Sequence, residues 1–276
     1  MMLVEFIKIS GSGNDFVIFD NRNSILSDFD HSELAKFICR RGISVGADGI
    51  ILLEKSDDAD VRMNYFNADG SSAEMCGNGA RCVAAFFAAL TGNNSPRIQT
   101  GAGIIRTEVN NDIVTVQMPV GKLIQANIEL LIDELPMLFD WYNTGVPHAV
   151  IIVDSLDEIP VDFWGREIRY NNYFQPDGTN VDFVHIIDEH NIAIRTYERG
   201  VEGETLSCGT GAVASAISAA RKKLAKSPVS VKVALPDILT VNFDITEHGS
   251  ADNIWFSGKV IYSFKGEIEL PDNFSL

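Results

Sequence analysis

The sequence has little that would cross-link it covalently or attach it to a membrane or a nucleic acid. It holds four cysteines in 276 residues, too few and too scattered for the disulfide framework of a small secreted domain. It has no CxxC or HxxxH spacing, so no zinc site is expected, and no other metal. It has no run of eighteen apolar residues, which argues against a membrane-spanning helix. The opening MMLVEFIKISGSGNDF lacks both the basic segment and the long apolar stretch of a signal peptide. Positive charge is scarce: 22 basic against 38 acidic residues give a net charge of -16. The densest basic run is Arg221-Lys222-Lys223, followed by Lys226. That balance excludes nucleic acid and anionic membrane as main partners. An anionic ligand would need locally placed donors, because the overall field repels it.

What is present is a globular chain with cytoplasmic character and free thiols. At 46% apolar residues it can bury a sizeable core unaided. Its length allows one large domain or two ordinary ones. Alternation predicts strands at VEFIKIS and FVIFD, with GSGND as the turn between them. Helical spacing covers Ser32 to Arg41, with Leu34, Phe37 and Ile38 on one face. GIILLE and VRMNYFN read as strands, the second ending at the Ala68-Asp69-Gly70 turn, where Asp69 orders the loop ahead. An Ala-rich stretch predicts a helix from about Ala80 to Leu90, buried almost all round. RIQT, GIIRTEV and IVTVQM are strands, and the segment around Pro119 and Gly121 marks a change of structural unit.

The second half repeats this grammar. HAVIIVD is a strand, and residues 181–187 and 192–198 form a hairpin pair. A second Ala-rich helix is predicted from about Thr210 to Ala225. VSVKVAL, ILTVNFD and IWFSGKVIYSFKGEIEL are strands again. Met75-Cys76-Gly77-Asn78-Gly79-Ala80 and Ser207-Cys208-Gly209-Thr210-Gly211-Ala212 lie about half a chain length apart, as in an internal duplication. The expectation is an α/β (α+β) fold of two pseudo-symmetric halves, each a central helix wrapped by strands. The halves would be 1–120 and 121–264, with the tail 265–276 free to join the first.

Two thiols at helix starts suit proton transfer. A helix N-terminus presents unpaired N–H groups and the positive end of the dipole. The glycines after each cysteine open the backbone to a ligand. A dipole effect of up to about 2 kcal/mol is roughly 1.5 pKa units, enough to bring a thiol from about 8.5 to near 7. Such a group can act as base or acid. Inverting a carbon needs one proton removed from one face and another delivered to the opposite face. Two matched thiols, one deprotonated and one protonated, do this in either direction. Donors from two helix starts would hold the charge that develops on an adjoining carboxylate. No electron-sink cofactor is required, and no motif for one is present.

At these residues the chain resembles the diaminopimelate epimerases over nearly its full length. The matching blocks are GSGNDF (11–16), VGADG (45–49), FNADGS (66–71), MCGNGARC (75–82), TGVPH (144–148), TNVDFV (179–184), YERGVEGET (197–205) and SCGTGA (207–212). The resemblance implies two pseudo-symmetric α/β halves with a cleft between them, the last strand returning to the first half. It implies Cys76 and Cys208 as the proton-transfer pair, with His148 and Glu198 assisting. It implies an amino-acid substrate held by Asn14, Asn67, Gly77, Asn78, Asn180, Glu198, Arg199, Gly209 and Thr210, with Arg199 suited to a distal carboxylate. It implies activity without a cofactor, in lysine and peptidoglycan precursor synthesis in the cytoplasm. Relatives are often dimers, so a homodimer is the oligomer to test. Three departures stand out: Val146 where many relatives have Asn, Gly49 where many have Gln, and an extra residue in YERGVEGET relative to the YERGAGET of some relatives.

Two other readings remain open. A proline or hydroxyproline epimerase shares paired cysteines but usually has CGHG at the first block, where this chain has Asn78. A redox-sensing binding protein would use the same two thiols as a reversible disulfide. Cys39 and Cys82 lack the glycine context and are expected to be core. His31, His185, His190 and His248 are expected to be structural or solvated.

Overall fold

The computed structural model describes residues 2–118, 121–234 and 237–271. The chain divides by compactness into two units. One runs to Val116 and resumes at Lys259; the other is Gln117–Gly258. The change of unit expected at Val120, with its marker Pro119, falls outside the described residues. So does the end of the expected strand VSVKVAL at Leu235.

The first unit contains β1 (Met2–Gly11), β2 (Asn14–Asp20), α1 (His31–Ile38), β3 (Gly49–Glu54), β4 (Val61–Asn67), β5 (Ser72–Ala73), α2 (Gly77–Thr91), β6 (Arg97–Thr100), β7 (Gly103–Asn110) and most of β8 (Ile113–Gln117). β1 pairs antiparallel with β2, β2 parallel with β3, and β3 antiparallel with β4. β4 runs parallel to β6, which continues antiparallel through β7 to β8. α2 packs on β1, β2, β4 and β7, and every residue from Gly77 to Ala88 is buried. Its alanines and glycines let strands approach on all sides, as the unbroken apolar pattern predicts. Arg81 is the exception inside this helix, a charged side chain with no exposed surface. A second core lies over the other face of β2 and β3, where Leu34, Ala35 and Ile38 of α1 meet Val17, Phe19, Ile50 and Leu52.

The second unit contains β9 (Lys122–Ile132), β10 (Leu135–Asn143), β11 (Pro147–Ile152), α3 (Val161–Arg169), β12 (Asn180–Asp188), β13 (Asn191–Glu198), β14 (Gly203–Thr205), α4 (Gly209–Arg221), β15 (Val229–Lys232), β16 (Ile238–Ile245) and the start of β17 (Ala251–Leu270). β11 runs parallel to β12, β12 antiparallel to β13, and β13 parallel to β15. α4 packs on β10, β11, β12, β13, β15 and β16, buried from Gly211 to Ala219. α3 covers the outer face, with Val161 and Ile168 against Phe139, Ile151, Phe174 and Phe183.

Helix boundaries differ from expectation for local reasons. α2 and α4 begin at Gly77 and Gly209, because Cys76 and Cys208 are themselves the N-caps, in extended backbone. α1 stops at Ile38, where the Ile38 carbonyl accepts from Gly46 N–H and Cys39 is the C-cap. α4 stops at Arg221, with Lys223 turned left-handed. The β9–β10 hairpin was not read from the sequence. Its turn, Asp133-Glu134, has positive φ at both residues, a hairpin geometry usually announced by Asn-Gly. α3 also escaped, being short and interrupted by Gly165. Among the described residues no helix is long and apolar enough to cross a membrane.

Candidate active site

Each unit brings its own set of candidate residues to the start of its buried helix. In the first unit Cys76 caps α2, and its Sγ accepts from Gly79 N–H at 3.3 Å. Sulfur accepting a backbone N–H is favoured when it carries charge. The N–H groups of Gly77 and Asn78 form the first turn behind it. Asn78 Nδ2 donates to Asn14 Oδ1 at 2.6 Å, so these two candidates are in direct contact. Asn14 Nδ2 faces Asp48 Oδ2 at 3.3 Å. Beneath them Lys8, Asp15, Arg41 and Asp48 form an ion-pair network, with Lys8 2.8 Å from Asp15 and Arg41 bridging both carboxylates.

Asn67 ends β4. Tyr65 Oη donates to its Oδ1 at 2.6 Å, and its Nδ2 donates to Ser71 Oγ at 3.0 Å. Asp69 accepts from the N–H and hydroxyl of Ser71, and so orders the loop leading to Cys76 as expected. Gly49 lies opposite Asn67 in the β3–β4 ladder. A Cβ at Gly49 would sit 2.5 Å from the Tyr65 ring and 2.6 Å from the Phe66 carbonyl oxygen. The Tyr65 ring therefore fills the space that a longer side chain at position 49 would need.

In the second unit His148, Asn180, Glu198, Cys208 and Thr210 converge on the start of α4. His148 is fully buried on β11, with Nδ1 2.7 Å from Asp182 Oδ2. A carboxylate only accepts, so Nδ1 carries the proton, and in the neutral ring Nε2 is left as acceptor. Nε2 faces Thr210 Oγ1 at 2.9 Å and Asn180 Nδ2 at 3.3 Å. Thr210 Oγ1 is in turn 3.5 Å from Cys208 Sγ. One hydroxyl thus lies between thiol and imidazole. Asn180 also donates to the Pro147 carbonyl at 3.1 Å and accepts from Arg199 N–H at 2.8 Å. Its amide holds the backbone at Arg199 and the ring of His148. Arg199 donates to the Asp177 carbonyl at 3.0 Å and makes no ion pair among the described residues. The loop carrying Val146 is fixed by its neighbour, Thr144 Oγ1 donating to the Thr210 carbonyl at 2.9 Å.

The electrostatics of Cys208 correct one expectation. A thiol poised near 7 is not found there. Burial pushes the Cys208 thiol well above its ordinary value, and the charges of Glu198 and Asp182 push it further. The Thr210 hydroxyl and Gly211 N–H oppose this without overcoming it. Desolvation outweighs the helix dipole when a thiol is sealed beside two carboxylates. Glu198 is itself raised, mainly by burial, against the Thr205 hydroxyl and the His148 ring. Cys39 and Cys82 are buried and free; burial pushes Cys39 up to about 12 and raises Cys82 likewise, so neither is a ready nucleophile.

Sequence reasoning missed Asp182, Thr196, Arg81 and Asp48. Thr196 Oγ1 donates to Asp182 Oδ1 at 2.8 Å, which completes the carboxylate's contacts to His148. Asp182 was legible in one respect: it is the only charge in the apolar strand run VDFV. Gly211 is part of the same arrangement, since a Cβ there would lie 2.3 Å from Asp182 Oδ1. Among the described residues no group of three His, Cys, Asp or Glu could hold a metal. A polar hollow lined by Asn21, Arg22, Glu54 and Lys55 contains none of these candidates.

Comparison with known proteins identifies the family. A family model described as diaminopimelate epimerase matches residues 6–124 and 141–248. A diaminopimelate epimerase of Aquifex aeolicus (strain VF5) is 41% identical, over 96% of this chain and 98% of its own. One from Hydrogenobaculum sp. (strain Y04AAS1) is 40% identical, over 94% and 96%. Among solved structures, a Bacillus anthracis protein of the PhzF phenazine-biosynthesis family superposes with a TM-score of 0.73 at 16% identity, over 98% of this chain and all of that one. A hydroxyproline epimerase from Agrobacterium vitis gives 0.70 at 16% identity, over 98% and 93%. At that identity the likeness shows the fold alone, two-part and strand-dominated. With the family model covering most of the sequence, and relatives near 40% identical along almost their whole length, the chain belongs to the diaminopimelate epimerase family, a family of isomerases.

Proposed function

We propose that this chain interconverts LL- and meso-diaminopimelate by moving protons between the substrate α-carbon and the thiols of Cys76 and Cys208, without pyridoxal phosphate or metal. The observation that carries the reading is the matched placement of two thiols. Each is the N-cap of a buried helix and is followed by a glycine-opened first turn.

In one direction the thiolate of Cys76 takes the α-proton and the thiol of Cys208 delivers its own proton to the other face. The reverse reaction exchanges these roles, so each turnover leaves the pair with its protonation states swapped. N–H groups of Gly77, Asn78, Gly209 and Thr210 receive the carboxylate as charge builds on it. Burial and the nearby carboxylates favour the protonated form of Cys208, which supports it as the resting acid. The N–H of Gly79 pointing at the Cys76 sulfur supports that residue as the resting base. His148, oriented by Asp182, can receive the Cys208 proton through the Thr210 hydroxyl. The thiol would pass its proton to Oγ1 while Oγ1 passes its own to Nε2, leaving a thiolate beside an imidazolium. Arg199, with no carboxylate partner among the described residues, suits the distal carboxylate of a two-headed amino acid. Four cysteines outside any disulfide support a reducing compartment, the cytoplasm.

The test is exchange of the substrate α-proton with deuterated water, followed on LL-diaminopimelate and on proline side by side, with and without chelator. Exchange of diaminopimelate alone, unchanged by chelator, with conversion of LL- to meso-diaminopimelate at least about a hundredfold slower in Cys76→Ala and in Cys208→Ala, is the expected result. Exchange of proline at a comparable rate would move the reading to a proline-type racemase. Thiol titration with no exchange at all would favour the redox sensor.

A further inference from the structure

Four side chains of the first unit form a hydrogen-bond chain whose direction is fixed at both ends. Arg81, without exposed surface in α2, donates from Nη2 to Asn78 Oδ1 at 2.7 Å and to Ser12 Oγ at 3.0 Å. Its Nη1 donates to the Lys259 carbonyl at 3.2 Å. Asn78 Nδ2 donates to Asn14 Oδ1 at 2.6 Å, and Asn14 Nδ2 donates to Asp48 Oδ2 at 3.3 Å. Asp48 is held by Arg41 at 2.8 Å and by Asp15 N–H at 3.1 Å.

A side-chain amide is nearly symmetric in shape, and packing alone hardly distinguishes its oxygen from its nitrogen. Here the partners do. A guanidinium only donates, so the Asn78 atom facing Arg81 is oxygen. A carboxylate only accepts, so the Asn14 atom facing Asp48 is nitrogen. The contact between the two amides satisfies both requirements at once. Turning either amide over would set N–H against N–H at one end and oxygen against oxygen at the other. What remains free follows by counting. Each amide oxygen already accepts, and each amide nitrogen has given one of its two N–H groups, so each keeps one N–H.

We infer that Arg81 and Asp48 are positioning residues that fix Asn78 and Asn14 as a pair of N–H donors for a carboxylate of the substrate. The pair stands at the first turn of α2, where the backbone N–H groups of Gly77 and Asn78 already favour an anion. An amide free to turn over would present oxygen to that carboxylate part of the time. The inference rests on the epimerase reading for the identity of the ligand, and on the four side chains alone for the direction of the chain.

Two sets of variants test it by steady-state kinetics on LL-diaminopimelate and by thermal unfolding. Arg81→Lys keeps a donor-only partner for Asn78, whereas Arg81→Gln offers either a donor or an acceptor. The expected result is a KM within about threefold of the parent for Arg81→Lys and raised at least about tenfold for Arg81→Gln, with kcat changed less than about threefold in both. Equal KM values for the two would overturn the inference. Should the buried Arg81→Gln fail to fold, the second set decides. Asn78→Asp opposes two oxygens and should lower Tm and raise KM together. Asn14→Asp sets a second carboxylate against Asp48 and should do the same. A lowered Tm with KM within about threefold of the parent in both variants would mean that direction is irrelevant to binding. Absence of any α-proton exchange by the unaltered protein would defeat the epimerase reading, while the Tm comparison would still report on the hydrogen-bond chain.

Discussion

Cys76 and Cys208 occupy the same cap position on corresponding helices, yet their surroundings differ. Cys208 is buried and faces Glu198 and Asp182, while its neighbours Thr210 and His148 lead away from the sulfur. Cys76 is partly exposed and takes a bond from Gly79 N–H. The difference sets the sign of a residue-level prediction. A negative charge disfavours a thiolate, so Glu198→Gln removes one cause of the raised Cys208 value. In a Cys76→Ser background, the pH midpoint for alkylation of Cys208 by iodoacetamide should move to lower pH in Glu198→Gln. A midpoint that stays put or rises would mean that Glu198 is neutral when Cys208 titrates. Cys39 and Cys82 do not confuse the reading, since both are buried with raised values.

At the scale of elements, α4 is tied to its strands at both ends. At its start, Gly211 passes so close to Asp182 that a methyl group would have to displace the carboxylate. Gly211→Ala is a helix-favouring change, and yet it should lower turnover by about tenfold or more through the loss of His148 orientation. Unfolding and turnover measured on one preparation separate the two effects; full activity would show that Asp182 does not position the ring. At the other end, Asp140 on β10 accepts from Arg221 at 2.7 Å and from Ser218 at 2.8 Å. Burial raises this carboxyl, but Arg221, Asn127 N–H, Ser218 and Lys222 together bring it below its ordinary value. Its folded value therefore lies under the unfolded one, so its contribution is complete above about pH 4 and disappears as pH falls through the folded value. Asp140→Asn should cost about 3 kcal/mol at pH 7. The gap in urea stability between parent and variant should narrow below about pH 4. A gap independent of pH would show that the ion pair is not the source.

For the molecule as a whole, the second unit is one continuous piece of chain, whereas the first is assembled from two. The first unit is completed by the end of β17, whose residues from Val260 to Leu270 pair along the whole of β1, from Gly11 back to Met2. A chain ending at Gly258 should therefore leave β1 without that partner, expose its edge and make residues 2–116 sensitive to protease. An intact, protease-resistant first unit in that truncation would refute this.

Much of this was open to reading in the residues. Two C-G-x-G-A blocks, each opening an Ala-rich stretch, identify two buried helices with thiols at their starts, because periodicity and glycine placement are local properties. The short apolar strands FVIFD and GIILLE and the strand at residues 192–198 are equally local readings. The Asp133-Glu134 hairpin was not legible, because neither residue announces left-handed backbone and the paired strands on either side impose it. Most of all, the sequence could not reveal the state of Cys208. The helix dipole is implied by any cap position. The burial and the two carboxylates that outweigh it come from β12 and β13, which only folding brings against α4. Arg81 and Asp48 are likewise distant in sequence, and the direction they impose on two amides exists only once β2, β3 and α2 are packed together. The chain by itself determined where the two thiols and their glycine turns stand; the tertiary structure decided what surrounds each of them and how the nearby amides are oriented, because both depend on neighbours that sequence distance hides.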